Sequence, residues 1–334
     1  MPPIITVTNL SKEYRTVKRH SGIGGSIRTL FTREYVTTQA VDDVNLTIQR
    51  GELIGYIGQN GAGKSTTFKM LTGVLLPTTG HIEVDGLIPF KQRQKLAYRI
   101  GSVFGQRSQL WWDLPLKESM EILKTIYRIP TEIYKQNLAE FDEILGLGEL
   151  LEKPVRQLSL GQRMRSELAA AFLHNPEIAF LDEPLLGLDV VAKEHVRQFI
   201  SESNRRRGIT IVLASNDMAD VERLCQRMLL IDKGHLLYDG TVDAIKHEYA
   251  PYRTLIVHTA ETYTDAWVEN AELVESEGTQ LKFRFLRSIN PQQLIANLST
   301  RYEITDLLIE EPTLEDVIRG MYEETNKQRK EQGR

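Results

Sequence analysis

The sequence predicts an α/β fold followed by a smaller α+β region, and three observations carry that expectation. The stretch Glu52-Leu53-Ile54-Gly55-Tyr56-Ile57 is an apolar run of strand type. It meets the glycine-rich loop Gly58-Gln59-Asn60-Gly61-Ala62-Gly63-Lys64-Ser65-Thr66, and residues 66 to 71 read as a helix. Short apolar runs at 100–104, 178–181 and 210–214 are separated by helical stretches, the pattern of strands buried in an α/β sheet. From residue 250 onward the pattern changes to short strands with two helices. The 334 residues suffice for one large domain and one small one.

The loop at 58–66 has the form G-x-x-x-x-G-K-[ST], a P-loop, in the strand–loop–helix context that the motif needs. Glycines let backbone N–H groups curl around phosphate oxygens, and the helix N-terminus adds its positive end. Lys64 is placed to reach the outer phosphates and the Ser65 hydroxyl to ligate Mg²⁺. A glycine-rich turn with a surface lysine would leave the flanking strand and helix without a reason.

Composition narrows the classes. At 41% hydrophobic residues the chain can build a core. The net charge is -4, from 41 basic and 45 acidic residues, so no overall nucleic-acid signature is present. One cysteine, Cys225, excludes a disulfide framework, suits a reducing compartment, and is expected to pack rather than react. No apolar run approaches the ~20 residues of a membrane span. The opening Met1-Pro2-Pro3-Ile4 lacks the marks of a signal peptide. The chain is therefore expected in the cytosol, with any membrane part supplied by another chain.

In order, residues 4–10 alternate and are rich in β-branched types, which predicts an edge strand. Tyr14 follows. Residues 15–38 form an insertion with Arg15, Lys18, Arg19, Arg28 and Arg33, Glu34 as the one acid, and Gly22, Gly24 and Gly25. It reads as a solvated loop or hairpin; the alternative is a basic contact for anionic lipid headgroups or a membrane subunit. Strands are expected at 44–48, 52–57, 81–84 and 100–104. Gln106 follows the last of these, then Trp111 and Trp112, of which one is expected exposed and one packed inside. Helices are expected at 117–127 and 131–145, separated by Pro130, and a long helix runs from Ser159 through His174. A strand ends at Leu181-Asp182-Glu183. A helix is expected at 190–207, a buried strand at 210–214, a hairpin at 227–239 and a helix at 241–249. Beyond it, strands at 254–258, 271–275, 280–286 and 304–309 accompany helices at 291–298 and 313–322, the last capped by Thr313 with Asp316 three residues on. The remaining histidines have no metal-ligand spacing. Residues 324–334 read as a charged, flexible tail.

Two further motifs say which machine uses the P-loop. Leu158-Ser159-Leu160-Gly161-Gln162 is followed by Ile178-Ala179-Phe180-Leu181-Asp182-Glu183-Pro184. P-loop, then this pentapeptide, then this strand end resembles the ATP-binding cassette (ABC) ATPases: Walker A, signature motif, Walker B. The resemblance spans roughly residues 4–245. It implies a P-loop NTPase cassette with a RecA-like core, an antiparallel β-subdomain and an α-helical subdomain at about 106–174. The nucleotide-binding domain would run over 1–249 and an α+β accessory domain over 250–323.

The resemblance also implies roles. Tyr14 sits where the family stacks an aromatic on adenine; otherwise it is a packing tyrosine. Gly58, Asn60, Gly61, Ala62, Gly63, Lys64, Ser65 and Thr66 would hold ATP, with Mg²⁺ on Ser65, Gln106 and Asp182. Gln106 matches the Q-loop glutamine. Glu183 would be the general base that polarises the attacking water. Ser159, Gly161 and Gln162 would complete the site of a second cassette in a head-to-tail dimer, and Asp189 matches the D-loop. Leu160 replaces the usual glycine of the signature, while the serine and following glycine are kept. At residue 216 the family usually has histidine against the γ-phosphate; this chain has Asn216, which puts the speed of hydrolysis in question.

Gln106 through Pro115 and Val155 through Gly161 resemble ABC-2-type export ATPases of bacteria tied to drug-like or lipid-like substrates. This implies membrane permease subunits as partners, Trp111 or Trp112 in the groove that receives them, and a place at the cytoplasmic face of the membrane. The alternatives are export of a polysaccharide or teichoic-acid glycolipid, and a non-transport ABC ATPase acting on ribosomes or DNA. The latter usually has paired cassettes or a long coiled coil, and this chain has neither.

Overall fold

The structure is a computed structural model that describes residues 2–17, 35–105, 108–250 and 252–332, without the side chains of 324 and 326–332. The chain divides into two compact units, Met1–Asp239 and Gly240–Arg334.

The first unit is built on a six-stranded sheet. Its strands are β3 (Leu53–Ile57), β5 (Ile100–Phe104), β6 (Ile178–Asp182), β7 (Thr210–Ser215), β8 (Arg227–Asp232) and β9 (His235–Thr241), in the order β5-β6-β7-β3-β8-β9. The pairs from β5 through β8 are parallel. Every residue of β7 is buried, as are four of the five in β3 and in β6. Runs this continuous form because both faces of a parallel sheet are covered, so an alternating polar face has no place. Phe68 is at the centre of the packing, with its ring centroid 5.8 Å from Tyr56 and 5.6 Å from Phe180.

A second, three-stranded antiparallel sheet joins the same core. It contains β1 (Ile5–Val17), β2 (Tyr35–Ile48) and β4 (Thr79–Val84), in the order β2-β1-β4. The first strand is thus central, not the edge strand expected from its alternation. It is also longer, and Tyr14 lies on it rather than after it. The polar residues Arg15 and Thr16 stay in register with Thr37 and Val36, so the pairing runs out to Val17 opposite Tyr35. Of the basic insertion, residues 18–34 lie outside the described residues.

The helix of the P-loop, α1, spans Lys64–Leu71, and a five-residue helix α2 spans Arg93–Ala97. Helices α3 (Leu116–Ile126) and α4 (Thr131–Leu145) each start after a proline, which presets the entry φ and cannot donate a backbone hydrogen bond. Helix α5 (Leu160–Phe172) ends before His174, earlier than expected. Helix α6 spans Val190–Arg207 and α7 Met218–Leu224. Phe199 of α6 meets Phe141 of α4 and Phe172 of α5 edge-on, each at 5.1 Å, which joins three helices through one aromatic cluster. Cys225 follows α7 and is buried, which pushes its thiol pKa up and leaves it unreactive.

In the second unit, α8 (Val242–Tyr249) is capped by the Thr241 hydroxyl, which accepts from Ala244 N. A four-stranded antiparallel sheet follows: β10 (Tyr252–Thr259), β11 (Ala271–Glu277), β12 (Gln280–Leu286) and β13 (Ile304–Glu310), in the order β11-β12-β10-β13. Leu255, Val257, Leu281, Phe283 and Phe285 make its buried face, together with Leu294 and Leu298 of α9 (Pro291–Ser299). The last helix, α10, spans Leu314–Gln332, so it continues past the expected end at 322 through most of the expected flexible tail; Thr313 and Asp316 cap it reciprocally. Among the described residues no helix is long and apolar enough to cross a membrane.

Candidate functional site

The parallel sheet decides where polar groups meet. Ile57 at the end of β3 is in register with Ser215 at the end of β7, and Asp182 at the end of β6 with Ala214. The loops that follow these strands therefore leave the sheet side by side, at the carboxyl ends where α/β sheets hold ligands.

The P-loop is fixed by close backbone approaches. A Cβ on Gly58 would lie 2.4 Å from the Ile231 carbonyl oxygen. At Gly63, with φ of 113°, a Cβ would lie 2.5 Å from the Ala40 carbonyl oxygen. Neither position accepts a larger residue. Thr38, two residues before Ala40, is paired with Tyr14, whose ring is partly exposed. The Lys12 ammonium sits 5.5 Å over the Tyr14 ring.

Within this frame Lys64 is buried. Its Nζ donates to the Gly58 carbonyl oxygen and to Asn216 Oδ1, both at 2.5 Å. Asn216 Nδ2 donates to Asn60 Oδ1 at 2.9 Å, and the Asn216 backbone N–H donates to Glu183 Oε2 at 3.3 Å. Ser65 Oγ donates to Asp182 Oδ2 at 2.7 Å. One cluster thus contains Asn60, Lys64, Ser65, Asp182, Glu183 and Asn216. Glu183 has a φ of 54°, a left-handed conformation that a glutamate adopts only when its surroundings impose it, and its N–H donates to the Ala214 carbonyl oxygen. Its Oε1 is buried without a hydrogen-bond partner.

The charges respond to this crowding. Burial raises the Glu183 pKa; the Asn216 N–H and the Lys64 charge pull it back only in part. Burial lowers that of Lys64, against the opposing pull of Glu183 and Asp182. A carboxylate held nearer neutrality, with one oxygen free, has the properties of a general base. The Ser65 hydroxyl and the Asp182 carboxylate are hard oxygen donors of the kind Mg²⁺ takes. Among the described residues no three His, Cys, Asp or Glu side chains gather into a metal set.

The signature residues occupy a different place. Ser159 caps α5: its Oγ accepts from Gln162 N at 3.2 Å, and Gln162 Oε1 accepts from Ser159 N at 3.0 Å. A Cβ on Gly161 would lie 3.2 Å from the Ala192 Cβ of α6. Asp189 caps α6 by accepting from Ala192 N at 2.8 Å. Leu160, Leu186, Val190 and Val191 are exposed around it. Gln106 lies outside the described residues. Trp111 and Trp112 are 38% and 51% exposed, so neither packs inside as expected of one of them; Arg163 sits 5.7 Å over the Trp112 ring.

Two neighbours of the site escaped the sequence reading. Lys193 of α6 donates to Asp217 Oδ2 at 2.9 Å, and Asp217 follows Asn216 and caps α7. Glu167 of α5 binds the segment after β5. Both pairs are far apart in sequence and match no local pattern.

Comparisons with known proteins agree with this geometry. The ABC transporter family model matches residues 41–186. The chain is 30% identical over 242 residues to the ABC transporter ATP-binding protein NatA of Bacillus subtilis, covering 72% of this chain and 91% of that one. It is 35% identical over 225 residues to the bacitracin transport ATP-binding protein BcrA of Bacillus licheniformis, covering 67% and 72%. It is 30% identical over 304 residues to the methionine import ATP-binding protein MetN of Latilactobacillus sakei, covering 87% of each. Among solved structures, an ATP-binding subunit of an ABC transporter superposes with a TM-score of 0.63 at 25% identity, over 74% of this chain and 93% of that one. A dimeric cassette in a post-hydrolysis state, bound to ADP and Pi, superposes with a TM-score of 0.59 at 25% identity, over 71% and 98%. The chain belongs to the ATP-binding subunits of ABC transporters, ATPases of the P-loop cassette fold that act on ATP with Mg²⁺.

Proposed function

We propose that this chain powers an ABC-2-type exporter of drug-like or lipid-like substrates from the cytoplasmic face of the membrane. Two cassettes would pair head to tail, with each ATP between one P-loop and the other chain's signature helix. The backbone of residues 58–66 would cradle the phosphates, Lys64 would leave Asn216 for the outer phosphates, and Tyr14 would stack on the base. Mg²⁺ on Ser65 and Asp182, and on Gln106 by the family resemblance, would neutralise charge between the outer phosphates. Glu183 would take the proton of the attacking water, and Asn216 would hold the γ-phosphate end of the site. Ser159, Gly161 and Gln162 would serve the partner's nucleotide, and Asp189 would communicate across the pair. Trp111 and Trp112 supply exposed aromatic surface for a membrane subunit. The basic residues between 15 and 38 carry the charge for an anionic lipid surface.

The observation that supports a drug-like cargo is the similarity to BcrA, named for bacitracin transport; the export direction rests on the resemblance of residues 106–115 and 155–161 to ABC-2-type export ATPases. A second reading, methionine import, is favoured by the MetN match, which extends over 304 residues and so reaches into the second unit. The test is purification of the tagged chain from detergent-solubilised membranes. Export predicts recovery with a six-span permease and MgATP-dependent phosphate release by the complex. Loss of labelled-methionine uptake on deleting the gene would instead establish import.

A further inference from the structure

Glu167 is an acid buried in a helix, and its ligands come from another segment. It lies eight residues past the Ser159 cap of α5, or about 12 Å along the helix axis. The Ser108 hydroxyl donates to Glu167 Oε1, and Gln109 N donates to Oε2 at 3.2 Å. The Gln109 side-chain amide donates to the Glu167 backbone carbonyl oxygen at 3.0 Å, closing a second link between the same residues. Ser108 is held in turn by Leu110, whose N–H donates to Ser108 Oγ at 3.1 Å. Burial raises the Glu167 pKa, while Ser108, Gln109 and Arg163 favour its charged form.

What these bonds join gives them their significance. Residues 108–110 follow β5, whose last residue, Phe104, is in register with Asp182. The next residues are the exposed Trp111 and Trp112. The opposite partner, α5, begins with the Ser159–Gln162 capping box. A single carboxylate therefore connects the sheet edge beside Asp182, the tryptophan surface and the helix that presents Ser159 and Gly161. A serine–glutamate pair 59 residues apart is a specific link. An apolar residue at 167 would pack α5 as well, but it would leave the Gln109 N–H without its acceptor and the Ser108 hydroxyl with only the Leu110 carbonyl oxygen, so both bonds across to α5 through the carboxylate would be lost.

We propose that Glu167 is a positioning residue that clamps the 108–110 segment to α5 and thereby sets the pose in which the Ser159 end of α5 meets the nucleotide of a second chain. This rests on the head-to-tail pairing above.

The experiment measures MgATP-induced dimerisation of the full chain by sedimentation velocity in a Glu183→Gln background, where ATP persists. Glu167→Ala is expected to weaken the dimer about tenfold or more, the size of one lost hydrogen bond to a charged group. ATP binding to the monomer, read by calorimetry, should stay within about twofold. Ser108→Ala should weaken the dimer in the same direction, and the double variant should be no worse than Glu167→Ala alone. Glu167→Gln, which keeps one acceptor, should fall between. Unchanged dimerisation in Glu167→Ala, additive effects in the double variant, or a parallel loss of monomer ATP affinity and melting temperature would each overturn the proposal. A Glu183→Gln parent that fails to dimerise would overturn the pairing itself and this inference with it. A parent that dimerises beside an unaffected Glu167→Ala overturns the inference alone.

Discussion

The six-stranded sheet of the first unit and the four-stranded sheet of the second both carry lysine or arginine beside carboxylates. In the first, neighbouring parallel strands end on the same side, so Asp182, Glu183 and Asn216 are delivered next to Lys64 and Ser65. In the second, antiparallel strands place opposite charges face to face along their length. Arg284 pairs with Glu272 at 2.9 Å and Lys282 with Glu275 at 2.6 Å, all at least partly exposed. There the charges cancel in pairs; at the P-loop they crowd, lose water and shift. Strand direction, more than composition, separates a sheet that collects chemistry from one that buries a core.

The largest effect is expected at Glu183. Glu183→Gln should keep ATP binding and cut phosphate release by roughly 10²–10⁴-fold, the range of general-base loss. The raised pKa adds a pH signature. If Glu183 is the base, the native kcat/KM should fall on the acid side with its midpoint displaced above the usual carboxylate value of 4.5, because the carboxylate must be ionised. A folded pKa above the unfolded one means that the folded chain binds the extra proton, so this group's contribution to stability falls as pH rises through the folded value. Glu183→Gln should therefore not lower the melting temperature at neutral pH. Near-native turnover in the variant would remove Glu183 from the reaction.

The second unit should respond to core loss instead. Phe283 is fully buried in its sheet. Phe283→Ala should destabilise that unit by about 3–5 kcal/mol. Calorimetry should show one transition shifted, while phosphate release persists at temperatures below the other. Loss of turnover in step with the shifted transition would show that the P-loop site depends on the second unit.

The sequence made the first of these sheets far more legible than its surroundings. Continuous apolar runs mark β5, β6 and β7 because a parallel sheet buries both faces. The P-loop is readable because its pattern sits between a strand and a helix, while Asp182 and Glu183 are singled out by the motif order that resembles the ABC ATPases. The expectation for β1 failed for the opposite reason: alternation shows that one face is buried and says nothing of how many neighbours a strand has. Its extension to Val17 runs through polar residues without periodicity. Helices α2 and α7, of five and seven residues, are too short to show a helical repeat. Links such as Glu167 to Ser108 depend on where the chain returns in space.

A smaller effect is expected at Asn216. Its amide bridges Lys64 and Asn60, and its backbone reaches Glu183, so it touches both sides of the cluster. Asn216→Ala should slow phosphate release roughly ten- to a hundredfold, the value of one charge-assisted hydrogen bond. Asn216→His, with a longer side chain, should be faster than the native protein. Turnover equal to native in Asn216→Ala would mean that the amide holds Lys64 in the free chain and does not act on phosphate.

The smallest effect tests the other side of the comparison. Glu272 and Arg284 face each other across β11 and β12, at 69% and 47% side-chain exposure, and Arg284 also lies 5.5 Å over the Tyr252 ring. Glu272→Gln keeps the shape, removes the charge and leaves the ring contact. Water already solvates both partners, so the pair contributes little beyond the cost of ordering two long side chains, about 0.2–1 kcal/mol. The shift in the second unit's melting transition should be correspondingly small and should vanish near 1 M salt, where screening acts over about 3 Å. Phosphate release should match the native rate. A destabilisation as large as that of Phe283→Ala would mean that the pair is worth far more than solvated charges allow. A changed turnover would mean that the antiparallel sheet carries chemistry after all.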